Sequence, residues 1–214
     1  MNIFALHRIP IMAAKMHSDK HVVKMVLETA QILATVHHIH NNGSAVKYKA
    51  THAKHPCVVW AAASRANYLW LLDLGKQLAR EYKMRYNKFH ACHELFSGEL
   101  GVAPPELKFS APTPFAQCMP DECKDTDHVE AYRKYYQKKT DENDWMRWDR
   151  SPVGRPDWIR ITNKNNELQE ICWNQGFPRV KIMKIIVACL ELFSETSLID
   201  WTFHRFKLEK LNES

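Results

Sequence analysis

PCVVWAAASRANYLWLLDLGKQLAREYKMRY, residues 56–86, is the stretch on which the reading of the chain turns. Pro56 suits the first position of a helix, where its missing N–H has no intrahelical partner to lose and its fixed φ is already helical. The middle of the stretch, Trp60-Ala61-Ala62-Ala63 and Leu69-Trp70-Leu71-Leu72, is apolar nearly all round, as in a helix enclosed by others. It predicts one long central helix from Pro56 to about Tyr86. Ser64, Arg65 and Asn67 interrupt that apolar run, so at least one of them is expected to be buried and hydrogen-bonded. The chain has 214 residues, 45% hydrophobic and 25% charged, with only 6 Gly, which disfavours sheet-rich architectures with many tight turns. The expected fold is mainly α: a compact helical domain around a long central helix, with a C-terminal helical extension.

Toward the N-terminus, Asn41-Asn42-Gly43-Ser44 supplies turn conformations that end a second helical run, Val22 to His38, with Ser18 or Asp19 as its cap and Pro10 opening an earlier helical turn. The first residues, Met1 to Leu6, read as a short apolar strand. Toward the C-terminus, Pro104, Pro105, Pro112, Pro114 and Pro120 make residues 98–120 an extended loop, and a helix is expected from about Thr126 to Trp148. Ser151-Pro152-Val153-Gly154-Arg155-Pro156 breaks that helix and divides a helical core, residues 1–160, from an extension, residues 161–214, that belongs either to the same domain or to its own. No apolar run reaches the 18 or so residues needed to cross a bilayer, and Met1 to Arg8 lacks the shape of a secretory signal, so a cytoplasmic, host-cell-interior location is expected.

Charge separates the two halves. Residues 1–100 carry 13 Lys and Arg against 6 Asp and Glu, the remainder 17 against 18, and ten of the twelve histidines fall in the front half. A polyanion such as DNA is the natural partner for that half, the alternative being a merely soluble basic protein. The six cysteines, Cys57, Cys92, Cys118, Cys123, Cys172 and Cys189, show no CxxC pairing and are expected to be reduced. Neither Cys92 with His90 and His93 nor Cys118 with Cys123 has zinc-knuckle spacing, so neither a metal nor a cofactor is expected.

On a helical wheel, His17, Lys20, His21, Lys24, Glu28, Gln31 and Thr35 fall on one stripe, with Val22, Val26, Ala30 and Leu33 opposite. Such a stripe is either a solvated face or a site. The mixture favours the site: lysine amines as nucleophiles, His21 as a proton carrier, and Glu28 to stabilise a cationic sugar or shuttle a proton. Lysines crowded by one another and by protonated histidines are expected to be depressed toward nucleophilic free amines. His17 and His21 also have the i, i+4 spacing of metal ligands, but no third ligand accompanies them. A second cluster, Thr51-His52-Ala53-Lys54-His55-Pro56, precedes the N-terminus of the central helix, where free N–H groups favour a phosphate. His17, His52, His55, Arg65, Asn67 and Arg155 are the expected DNA contacts. Trp145, Trp148 and Trp158, close to Arg147, Arg150 and Arg155, are candidates for stacking on bases, although packing is the commoner role for tryptophan.

The opening Met1-Asn2-Ile3-Phe4, the block Asp19-Lys20-His21-Val22-Val23-Lys24-Met25 with Leu27-Glu28, Thr51-His52 to His55-Pro56, Asn67-Tyr68-Leu69-Trp70-Leu71 and Met119-Pro120-Asp121-Glu122 resemble a family of phage and large-virus proteins often labelled pyrimidine-dimer DNA glycosylases. The resemblance covers roughly residues 1–160, and its layout is distantly similar to the endonuclease V type of phage repair enzyme. That type is a compact helical domain that attacks the sugar with its N-terminal α-amine and uses a glutamate on an early helix. By this resemblance Glu28 is the glutamate, and Arg155-Pro156-Asp157-Trp158 matches a C-terminal Arg-Pro-x-Trp stretch. Asn2 is a poor substrate for removal of the preceding methionine, so the amine is that of Met1 or of a lysine, Lys24 or Lys20. The resemblance implies a DNA glycosylase or glycosylase/AP lyase acting on damaged or modified pyrimidines. The rivals are a viral DNA-base modification enzyme with a similar pocket and a non-catalytic nucleic-acid-binding protein.

Overall fold

The computed structural model describes residues 1–160, so the expected helical extension over 161–214 lies outside the described residues. Five α-helices follow one another: α1 Pro10–Met16, α2 Asp19–Ile39, α3 Pro56–Ala63, α4 Arg65–Tyr86 and α5 His128–Glu142. No strand occurs among the described residues, and the protein is mainly helical as expected. No helix among them is long and apolar enough to cross a membrane.

The expected central helix is two helices. Ser64 leaves helical geometry, with φ −153° and ψ 152°, and its Oγ accepts the N–H of Asn67 at 3.0 Å, which caps α4. Asn67 then fills the gap between the two helices: its Nδ2 donates to Trp60 O at 2.8 Å and to Thr113 Oγ1 at 2.7 Å, and its Oδ1 accepts from Thr113 N at 2.9 Å. One buried amide thereby ties the end of α3, the start of α4 and the proline-rich loop together. Of the three polar residues in the apolar run, Ser64 and Asn67 are the buried, bonded ones.

α2 packs chiefly on α4, which also receives α1 and α3, and α3 touches α2. The shared core is aliphatic: Val22, Met25, Val26, Ile32 and Leu33 from α2 meet the layer of Leu71, Leu74 and Leu78 from α4. Each such side chain contributes about 1.5–3 kcal/mol when fully removed from water. Gly75 lets the turn Glu94–Phe96 press onto α4, since a Cβ there would lie 2.4 Å from Phe96 Cε1.

Met1 to Leu6 form no strand. The Asn2 side chain takes the N–H groups of Ile3 at 2.7 Å and Phe4 at 3.1 Å, Phe4 adopts φ 37°, and Ile3, Phe4, Ala5 and Leu6 are buried beneath the helices. α5 also ends earlier than expected, at Glu142, where Asn143 turns extended with φ −141°. Met146 and Trp148 then return to the core, and Asp19 N donates to Arg147 O at 2.7 Å.

Beneath the start of α2 lies an ion network that holds α1, α2 and α4 in register. The fully buried Arg85 guanidinium contacts Asp19 Oδ1 at 3.1 Å and Glu81 Oε2 at 3.0 Å, and donates to His17 O at 2.7 Å and Lys15 O at 3.1 Å. Asp19 also receives Arg150 N at 3.0 Å. All three guanidinium nitrogens thus have partners, which is the condition under which a buried charge is tolerated.

Candidate active site

Glu28 sits on the third turn of α2, and its side chain is 12% exposed. Its Oε2 accepts the Asn2 N–H at 3.0 Å and lies 3.9 Å from the Met1 α-amine, while its Oε1 lies 3.3 Å from Lys24 Nζ. The N-terminal segment is aimed there by its own side chain. Asn2 holds Ile3 and Phe4 in a tight turn through Oδ1 and anchors to Cys118 O through Nδ2 at 2.9 Å. The Phe4 ring is wedged against His21, with centroids 4.7 Å apart, and against Tyr136 at 5.4 Å. Met1, Lys24 and Glu28, three of the residues expected to carry chemistry, therefore meet at one carboxylate. They combine an amine that can act as a nucleophile, a carboxylate that can take its proton and a lysine reaching toward solvent, 65% exposed.

Lys20 and His21 do not join them. Lys20 is exposed, with Nζ 5.5 Å from the centroid of Trp145. His21 is buried, its Nδ1 2.8 Å from the Tyr136 hydroxyl, and burial, with the charges of His17, Lys139 and Lys24, lowers its pKa to about 2. It is neutral near pH 7, part of an aromatic wall with Phe4, Tyr136 and Trp145. The stripe is thus rotated from its expected place. His21 and Thr35 face inward, and Val23 and Leu27 take part of the outer face.

Of the expected DNA contacts, two are placed where no ligand reaches them. His17 is not on α2 at all: it caps α1 and is fully buried, with Nδ1 donating to Ala13 O at 2.7 Å, and burial lowers its pKa to about 4. Asn67 is the buried clamp described above. Arg65 is half-buried, and its backbone N–H donates to Lys108 O at 3.0 Å. Arg155 is half-buried and its guanidinium donates to Ile159 O. His52 is exposed, at φ 51°, with Nδ1 2.6 Å from Thr51 Oγ1. His55 occupies the N-cap of α3 itself, where its Nδ1 accepts the Cys57 N–H at 3.2 Å, the place in which a phosphate was expected. Trp148 is buried and donates to Met16 O at 2.9 Å, while Trp145 and Trp158 are half-buried.

Behind the amine lie groups that sequence reading did not join. Cys57, in the first turn of α3, and Cys118, in the proline-rich loop, have their sulfurs 3.2 Å apart, with His55 beside them. The hydrogen bond from Cys57, together with the Met1 amine and Lys124, holds the Cys118 thiol below its usual range. The same hydrogen bond, with burial, pushes the Cys57 thiol up, and burial, helped by the Met1 amine, lowers His55. Comparison of the chain with protein-family models, with curated proteins and with solved structures returns no match.

Proposed function

We propose that the protein is a DNA base-processing enzyme of viral type, a glycosylase or glycosylase/AP lyase acting on damaged or modified pyrimidines, with the Met1 α-amine as nucleophile and Glu28 as its acid–base partner. The observation that supports this reading is the Met1 amine held 3.9 Å from a largely enclosed Glu28 carboxylate. In the reaction, a pyrimidine nucleotide is turned out of the duplex toward Glu28. The free amine bonds to C1′ of the sugar as the C1′–N glycosidic bond breaks, and the base departs with the bonding pair, to be protonated by the proton that the amine releases and Glu28 relays. Glu28 takes the proton that the amine loses and stabilises the positive sugar. Opening of the sugar ring leaves an imine, which water hydrolyses or which precedes strand scission by elimination. Lys24 ranks behind Met1 because its side chain is 65% exposed, whereas that of Met1 is 5% exposed against the same carboxylate. Lys20, Lys24 and Lys54 supply positive charge for the DNA backbone, and the exposed His52 imidazole offers a hydrogen-bonding group.

The test is borohydride reduction of the protein with duplex DNA carrying an abasic site or a pyrimidine dimer. A covalent protein–DNA adduct is expected. Glu28→Gln, which keeps shape and removes the charge, should bind DNA and lose about 10²–10⁴-fold in turnover, the usual worth of an acid–base group. Normal turnover in that variant removes Glu28 from the mechanism. DNA binding with neither adduct nor cleavage would turn the reading to base modification or plain binding.

A further inference from the structure

We propose that His55, Cys57 and Cys118 form a binding site for a divalent metal ion of the zinc class, with one coordination position left open. His55 and Cys57 are two positions apart at the start of α3, and the His55 Nδ1 that accepts the Cys57 N–H in the empty site would exchange that bond for one to the ion. Cys118 arrives from 61 positions further along, and its backbone is held there by Asn2. One donor atom from each of the three lies within 4.8 Å of the others. Cys118 thus finds its partner in Cys57 rather than in its neighbour Cys123, which is why spacing along the chain does not disclose the site.

Two thiols and an imidazole are the donors that zinc takes in preference to oxygen-seeking cations. In a tetrahedral site with Zn–S bonds of about 2.3 Å, two sulfurs stand about 3.8 Å apart. The sulfurs here are 3.2 Å apart. They need to separate by about 0.6 Å to hold the ion, whereas a disulfide, at about 2.05 Å, requires them to close by more than 1 Å. A disulfide also has no use for the third donor. Charge permits the ion: two thiolates and a neutral imidazole cancel a divalent cation, so the filled site does not repel the nearby Met1 ammonium. Filled, the site would clamp the proline-rich loop to α3 beside the segment that carries Met1, independently of whether Met1 acts on DNA.

The probe is Co²⁺ added to the freshly reduced full-length protein. One equivalent should produce thiolate-to-cobalt charge-transfer absorption and visible bands of tetrahedral intensity, both abolished by one equivalent of Zn²⁺. Cys118→Ser should lose the charge-transfer band or at least halve it, and Cys123→Ser should leave it unchanged. Without any variant, Zn²⁺ should protect the Cys57 and Cys118 peptides from alkylation while Cys92 and Cys123 react as before. Absence of a thiolate band in folded, reduced protein overturns the proposal, as does a band that survives Cys118→Ser in full. Formation of a Cys57–Cys118 disulfide in air with no protection by Zn²⁺ in the reduced protein would make the pair a redox couple and overturn it equally.

Discussion

Glu28 collects an α-amine, a backbone N–H and a lysine on its two oxygens. The pairing with Lys24 was legible from i, i+4 spacing, because α2 is regular there. The approach of Met1 was not legible from spacing: it depends on the turn that Asn2 makes and on its bond to Cys118, and only the resemblance pointed to the amine. His17 was misplaced because a helical wheel assumes one unbroken helix, and the chain leaves helical geometry at His17 and Ser18 between α1 and α2. His21 was misjudged for another reason: Phe4, Tyr136 and Trp145, all distant in sequence, cover it. Burial of these histidines has a pH consequence. His17 titrates near 4 when folded against 6.5 in its ordinary state, so between those values the unfolded chain takes up a proton that the folded protein refuses. Stability is therefore expected to fall as pH drops from 6.5 to 4, by about 3 kcal/mol from His17 alone. His21 extends the loss toward still lower pH. Asp19 works in the opposite sense at the acid end, because burial raises its carboxyl. Urea denaturation at a series of pH values measures the slope, and a flat profile over that window contradicts the buried, neutral assignment.

At the scale of the element, helix content and the positions of α1, α2 and α4 followed from periodicity and turn residues, but helix ends did not. The break at Ser64 was hidden by the apolar run around it. Its signal was a serine followed three positions later by a residue whose N–H it caps. α5 stops short because Trp145, Met146 and Trp148 are packing residues of a returning loop rather than a helix face. A tight fit between elements is that of Gly75 against Phe96. Gly75→Ala gains helix propensity worth about 1 kcal/mol in a free helix. Overpacking of about 1–3 kcal/mol, set by a ring that cannot retreat without moving its turn, should outweigh it. A lower urea midpoint is expected; an unchanged or higher one means that the Glu94–Phe96 turn yields freely.

For the whole molecule, Arg85 is the knot. It joins α1, α2 and α4 with no exposed side-chain surface, and the carboxylates of Asp19 and Glu81 depend on it. Arg85→Ala strands both acids and should cost about 3–5 kcal/mol, whereas Arg85→Met with Asp19→Asn and Glu81→Gln should recover part of that, since the cost is mostly that of the unpaired charge. Thermal and chemical denaturation of the two variants distinguish these outcomes; equal losses would show that shape rather than charge matters. The basic balance of residues 1–100 was evident from composition, while the meeting of residues 2, 28, 57 and 118 depends on tertiary structure and has no linear trace. The measurement that bears most directly on the account is mass mapping of the borohydride-trapped DNA adduct. The account predicts attachment at the Met1 α-nitrogen, lost in Glu28→Gln; attachment at Lys24 or Lys20, or no attachment by a protein that binds the DNA, would contradict it.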